Sequence, residues 1–302
     1  MLDTLAGIFS HAFLVRAIIV GVLVSLCAAL LGVSLVLKRY SMIGDGLSHV
    51  GFGTLAAATA LNAAPLMISI PVMILAALIL LRISENSKIR GDAAIAMISA
   101  GSLAVGVIIL SMNTGVNTDV YNFMFGSILA MSQGDVNLSV ALAAAVLTLF
   151  ILFYNRIFAV TFDESFARAT GIKAGLLNIL LASLTAVTIV LGMRMTGALL
   201  ISSLIIFPPL SSMRVCKRFR SVTICSACIA VVSFLLGVIA SYEYGTPAGA
   251  SVVAVHIAVF LMFSGFAVLI RRYNMFAFSR YPRQTFSKKS SSSGMGRTGR
   301  HA

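Results

Sequence analysis

The sequence predicts an all-α polytopic membrane protein, a helical bundle of eight or nine transmembrane helices. Of its 302 residues, 59% are hydrophobic and only 10% are charged, and the mean hydropathy is +1.03. Soluble proteins carry about 25% charged residues, so this chain has too little charge to cover a soluble domain of its length. Apolar runs of about 20 residues, the length that crosses a bilayer, recur along the chain.

Nine segments have the composition of spanning helices. In chain order they are residues 17–37, 42–61, 66–81, 93–112, 136–154, 174–193, 196–213, 221–241 and 248–270. The third and seventh are short. Only Arg194 and Met195 separate the sixth from the seventh, and a count of eight treats these two as one broken or re-entrant unit. The first segment is too long for a signal-peptide core, which indicates a retained span.

The basic residues predict how the bundle is oriented. If Lys38 and Arg39 are cytoplasmic, alternation also brings the basic clusters after the third, fifth, seventh and ninth spans inside. Only Arg16 and Arg194 then fall outside, which satisfies the preference of Lys and Arg for the cytoplasmic side. We therefore expect the N-terminus outside and the C-terminus in the cytoplasm.

Two regions are expected, a transmembrane domain over residues 1–272 and a basic tail over residues 273–302. The tail is rich in Ser, Gly and Arg and contains no acidic residue, a composition typical of a disordered segment. The net charge of +13 does not indicate nucleic-acid binding, because the cations form short clusters between apolar runs. Membrane lipid is the expected surrounding.

The strongest functional signal is a pair of ionisable residues early in the second predicted span. Asp45 and His49 lie in a stretch that also carries Gly44 and Gly46. Ionisable side chains inside a bilayer are costly and mark pathways or relays, and a spacing of four brings both to one helical face. Carboxylate oxygen with imidazole nitrogen suits zinc, manganese or iron(II). A structural Asp–His hydrogen bond between packed helices is the open alternative.

A second signal is the polar stretch 163–171, between the fifth and sixth spans. Asp163 and Glu164 begin it and Gly171 ends it, a pattern that predicts a short amphipathic helix. A short exposed helix can dock in a groove of a partner subunit. From residue types alone, an ordinary connecting helix is the preferred interpretation.

Missing motifs exclude several enzyme classes. The chain has no GxxxxGK[ST], so it does not itself bind ATP in a P-loop. It has no HExxH, and no GxSxG stands near a candidate base, so a zinc protease or serine hydrolase has no support. His256 is interpreted as a buried histidine bonded to a neighbouring helix. No catalytic residue and no permanently bound cofactor are expected.

Five fragments resemble the membrane permease subunit of bacterial zinc, manganese and iron ABC importers. They cover residues 38–49, 122–130, 162–171, 197–208 and 246–253. The fragments follow that family's order, and the resemblance extends along nearly the whole chain to about residue 272. It implies the ABC importer permease type of fold and ATP-driven alternating access.

The resemblance also implies roles for particular residues. Asp45 and His49 correspond to the pair that lines the metal path, with zinc the first choice of metal and manganese the second. A coupling helix that meets the ATPase subunit corresponds to Asp163, Glu164, Phe166, Ala167 and Gly171.

The implied assembly contains two permeases, two cytoplasmic ATPase subunits and an extracytoplasmic metal-binding protein, in the bacterial plasma membrane. ATP then binds to the partner subunit, and this chain is not an enzyme.

Two other classes of protein are alternatives to the importer. In a secondary transporter, Asp45 and His49 serve as a proton relay and uptake depends on the proton gradient rather than on ATP. An intramembrane enzyme has less support, because the sequence offers no complete catalytic set.

Overall fold

The computed structural model describes residues 12–61, 64–86, 91–112, 124, 126, 133–198 and 200–279. All regular secondary structure in these ranges is helical. In chain order the helices are α1 (Ala12–Leu37), α2 (Ser41–Ala60), α3 (Pro65–Asn86), α4 (Gly91–Met112), α5 (Gln133–Leu152), α6 (Tyr154–Phe162), α7 (Glu164–Ala169), α8 (Ala174–Thr196), α9 (Ile201–Val215), α10 (Phe219–Tyr244) and α11 (Ala248–Ser279). The expected all-α class is confirmed.

Seven of these helices are long and apolar enough to cross a membrane, namely α1, α3, α4, α5, α8, α10 and α11. The other two predicted spans correspond to α2 and α9. Helix α2 has 20 residues but is less apolar, because it carries Asp45, His49 and four glycines. Helix α9 has 15 residues and rises about 22 Å, less than the ~30 Å of a bilayer core. Each of the nine predicted spans thus corresponds to a helix, and the expected bundle of eight or nine helices matches the architecture.

Helices α1 and α8 form the centre of the bundle. Helix α1 contacts α5, α8, α9 and α10, and α8 also contacts α3 and α2. Helix α2 lies between α4 and α3, whereas α4 and α11 are the least buried of the candidate spans. Helix α2, which carries the ionisable pair, also contributes to the core, since its Leu47, Phe52 and Leu55 side chains are fully buried.

Polar and aromatic contacts identify the two ends of the bundle. At one end, Lys38 at the end of α1 reaches Glu164 of α7, and Phe158 of α6 lies 5.1 Å, ring centre to ring centre, from Phe219 of α10. At the other end, Arg194 of α8 pairs with Asp135 of α5 at 3.0 Å. We call these the Lys38 end and the Arg194 end. The expectation that successive spans run in alternating directions agrees with this arrangement.

A backbone contact between two glycines separates α8 from α9. Gly197 follows α8 with a φ of +84°, and Gly126 has a φ of +78°. A Cβ on Gly197 would collide with the carbonyl oxygen of Met124, and one on Gly126 with that of Met195. Only glycine fits both the dihedral and the space. The sixth and seventh predicted spans are therefore two separate helices.

Helix α11 does not end at the expected domain boundary. It continues past residue 272 to Ser279, so the expected boundary at residue 272 falls inside a helix. The stretch contains neither Gly nor Pro, the residues that usually end helices. The rest of the expected tail, 280–302, lies outside the described residues.

Candidate functional site

Asp45 and His49 lie one turn apart in the first half of α2. The His49 Nε2 atom is 3.9 Å from the Asp45 Oδ2 atom, too far for a hydrogen bond. The structural hydrogen bond considered as an alternative is therefore absent between these two residues. Bonds from Zn²⁺ to imidazole nitrogen or carboxylate oxygen are about 2.0–2.2 Å long. Two such bonds, from a single ion, are long enough to span the 3.9 Å between the two atoms.

The pair lies at a partly open surface. The Asp45 side chain is 41% exposed and that of His49 is 18% exposed. The Nδ1 atom of His49 is buried and has no hydrogen-bond partner among the described residues. In the described ranges, no group of three or more His, Cys, Asp or Glu side chains is arranged to hold a metal ion. Among the described residues, Asp45 and His49 thus stand as a pair without a third side chain of these types beside them.

The glycines of α2 allow close helix approach and do not unwind the helix, which is continuous over Ser41–Ala60. A Cβ on Gly53 would lie 2.8 Å from the Ser102 carbonyl oxygen of α4, and one on Gly46 would lie 2.6 Å from Ile95. This close contact with α4 fixes the rotation of α2 about its axis, and therefore the direction in which the face with Asp45 and His49 points.

His256 does not join the pair as a third ligand. Its ring is buried, and its Nδ1 atom donates to the Val252 carbonyl oxygen at 2.9 Å. The expectation of a bond to a neighbouring helix is wrong, because Val252 lies one turn earlier on the same helix.

The polar stretch 163–171 forms the expected short helix. The Asp163 side chain accepts a hydrogen bond from the Phe166 amide at 2.9 Å, an N-cap. The helix ends where Gly171 adopts a φ of +84°, and the Ile172 amide donates back to the Ala167 carbonyl. Caps at both ends make α7 a well-defined element.

The faces of α7 differ in exposure. The Phe166 side chain is 64% exposed, whereas Ala167 is fully buried and packs with Val160, Ala174 and Leu177. Phe166 is thus available to a partner, and Ala167 holds α7 against the bundle.

Glu164 is the most strongly bonded residue of α7. Its carboxylate accepts hydrogen bonds from Arg168 at 2.6 Å, Lys38 at 3.1 Å and Asn178 at 3.2 Å. Burial alone raises its pKa, but these donors outweigh burial and lower the pKa to about 2. The carboxylate is therefore charged at every physiological pH.

Sequence reasoning missed the structural importance of Lys38 and Asn178. Lys38 served only to orient the bundle, yet its ammonium group is nearly buried, with 7% of the side chain exposed. Asn178 is 3% exposed near the start of α8. An amide inside an apolar segment needs hydrogen-bond partners, and this was the available signal.

A groove borders the C-terminal end of α7. Thr170, Gly171 and Ile172 form one side of it, and the cations Arg156 and Lys173 also line it. Leu176 is 61% exposed there. The groove therefore combines positive charge with apolar surface.

The bundle of long apolar helices, with an ionisable pair on α2, is typical of a multi-pass membrane permease. The model of the ABC 3 transport family matches residues 10–267. The chain belongs to that family, and it is the membrane subunit of an ABC transporter rather than an enzyme.

Similar proteins carry the names expected from the resemblance. A manganese transport system membrane protein of Halalkalibacterium halodurans is 26% identical over 255 residues, 84% of this chain and 87% of the relative. A high-affinity zinc uptake system membrane protein of Haemophilus influenzae is 28% identical over 246 residues, 82% of this chain and 94% of the relative.

A solved structure has a similar fold. It is the PsaBC complex of Streptococcus pneumoniae with a Fab, and the matching chain is 28% identical with a TM-score of 0.79. The match covers 87% of this chain and 94% of that chain. The expected resemblance to permeases of zinc, manganese and iron importers is thereby confirmed.

Proposed function

We propose that this chain forms the translocation pathway of an ATP-driven importer of divalent transition-metal ions. The ion passes a transient site that contains Asp45 and His49. Zinc is the first choice of ion and manganese the second, and iron is also a candidate. The observation that carries the proposal is the 3.9 Å separation of His49 Nε2 and Asp45 Oδ2 on one face of α2. Relatives named for manganese and for zinc transport support the same class of cargo.

A two-ligand site suits transport because an ion must be released as well as bound. Divalent zinc usually takes four ligands. A two-fold dimer whose axis passes beside α2 would bring a second Asp45–His49 pair to the site, and the 41% exposure of Asp45 is compatible with such an arrangement. The functional unit in this proposal is therefore a homodimer with no resident cofactor.

Helix α7 is the proposed docking element for a cytoplasmic ATPase subunit. The exposed Phe166 ring, together with the groove beside Gly171, supplies a surface for that partner. The Lys38 end then faces the cytoplasm, which agrees with the basic residues found there. The N-terminus is outside, the C-terminus is cytoplasmic, and an extracytoplasmic binding protein delivers the ion at the Arg194 end. The membrane is the bacterial plasma membrane.

Uptake into proteoliposomes tests the proposal. The chain would be reconstituted with its ATPase and supplied with the binding protein. Radioactive zinc and manganese would then compete for uptake, and each measurement would be made with and without ATP. Uptake that requires ATP supports the importer, and the competition order identifies the preferred ion. Uptake that ignores ATP but stops when the proton gradient is dissipated contradicts the proposal and favours a secondary transporter.

A further inference from the structure

Lys38 joins α1 to the segment that contains α7. Its Nζ atom donates to the Asn178 Oδ1 atom at 2.6 Å, the Glu164 Oε2 atom at 3.1 Å and the Val160 carbonyl oxygen at 3.3 Å. An ammonium group has three donors, so each donor of Lys38 has an acceptor. A buried cation that is fully bonded has one preferred position.

Asn178 extends this network to α3. Its Nδ2 atom donates to the Glu85 Oε1 atom at 3.0 Å and to the Glu164 Oε2 atom at 3.2 Å. Burial, with the charges of Glu85 and Glu164 nearby, raises the pKa of Tyr40 to about 12, so its hydroxyl stays neutral beside these carboxylates. The ends of α1, α3, α7 and α8 therefore meet in one cluster of bonded polar groups.

The same cluster is directly connected to α2, the helix that carries Asp45 and His49. Arg39, the residue after Lys38, has a left-handed φ of +61°, and the Tyr40 amide donates to the Leu35 carbonyl oxygen at 2.7 Å. Helix α2 begins at Ser41, and Asp45 lies four residues later, about 6 Å along the helix axis. Lys38 and the start of α2 are therefore joined by a short turn that is held by its own backbone hydrogen bonds.

We propose that Lys38, Glu164 and Asn178 are positioning residues that transmit movement of α7 to the Asp45–His49 pair, and so couple ATP hydrolysis to metal release. This inference rests on the proposed function, because it assumes that α7 meets the ATPase. None of the three residues belongs to the proposed Asp45–His49 metal pair. Their effect is on the position of α2 when α7 moves.

The number of metal ions transported per ATP hydrolysed tests this link. The variants are Lys38→Gln and Glu164→Gln in the reconstituted permease–ATPase complex. The Glu164 side chain is 29% exposed and its glutamine replacement retains an acceptor oxygen, so this variant is expected to fold. We expect ATP hydrolysis to continue while the ratio of ions to ATP falls at least about fivefold, the size of a typical coupling between sites.

Asp135→Asn is the matched control, because it removes a partly buried ion pair, with Arg194, at the opposite end of the bundle. Thermal stability is measured for all three variants. An unchanged ratio in Lys38→Gln and Glu164→Gln overturns the inference. An equal fall of the ion-to-ATP ratio in Asp135→Asn also overturns it. The same holds if transport and ATP hydrolysis are lost together, in proportion to the loss of folded protein. If the wild-type complex shows no ATP-driven uptake, the proposed function itself fails.

Discussion

The ammonium nitrogen of Lys38 lies 3.1 Å from a carboxylate oxygen of Glu164, although 126 residues separate them in the chain. The first residue precedes the helix that carries Asp45 and His49, and the second begins the helix proposed to contact the ATPase. One partly buried ion pair thus joins the two regions for which functions are proposed. Removing one member of such a pair is costly, because the charge of the other member is left without compensation.

Phe166→Ala tests the proposed docking surface on α7. The ring is 64% exposed, so its removal leaves the bundle intact but takes apolar area from a partner interface. We expect ATP-driven uptake to fall at least about fivefold with no change in thermal stability. Leu152→Ala is the control, because it removes a similarly exposed side chain, 72% exposed, at the end of α5. Normal uptake in Phe166→Ala, measured in proteoliposomes, would exclude Phe166 from the docking surface.

Gly171→Ala tests whether the end of α7 depends on a left-handed residue. A Cβ at Gly171 meets no atom within 4 Å, yet the φ of +84° is unfavourable for alanine. We expect a loss of about 1 kcal/mol, seen as a lower midpoint of thermal denaturation. Gly175→Ala is the control, since Gly175 has equally open space within the helix α8. Equal stability of the two variants would show that the dihedral does not matter.

The pKa of Glu164 gives a prediction about pH. Its hydrogen bonds lower the pKa from 4.5 to about 2, so the stabilisation is complete above about pH 4.5 and is lost as the pH falls toward 2. Glu164→Gln lacks the charge at every pH. The thermal stability of the wild type should therefore exceed that of Glu164→Gln at pH 7, and the difference should shrink at pH 3. A difference that is constant or grows on acidification contradicts these hydrogen bonds.

Much of the fold was predictable because a bilayer restricts the chain to long apolar helices. Apolar length and basic clusters gave the helices and their alternation, and the Asp163 cap and Gly171 gave α7. Helix α11 extends beyond the change in composition at Tyr273, because such a change does not by itself end a helix. The Lys38–Glu164 pair was not predictable, since contacts between distant residues leave no periodic pattern in a single sequence.

The functional pair illustrates the same limit. A spacing of four predicted that Asp45 and His49 share a face, which the structure confirms. Their role in binding an ion remains a proposal, as does the contribution of a second copy of the chain. Spacing within one helix cannot indicate which ligands another subunit supplies.

The most direct test of the central claim is the initial rate of ATP-driven metal uptake by Asp45→Ala and His49→Ala. Both variants would be compared with Asp92→Asn, which removes an exposed acid from the first turn of α4, and assembly with the ATPase would be measured in parallel. The proposal predicts intact assembly and uptake at least about tenfold slower in the two site variants, with a normal rate in Asp92→Asn. Normal uptake in both Asp45→Ala and His49→Ala would contradict a metal path at this pair.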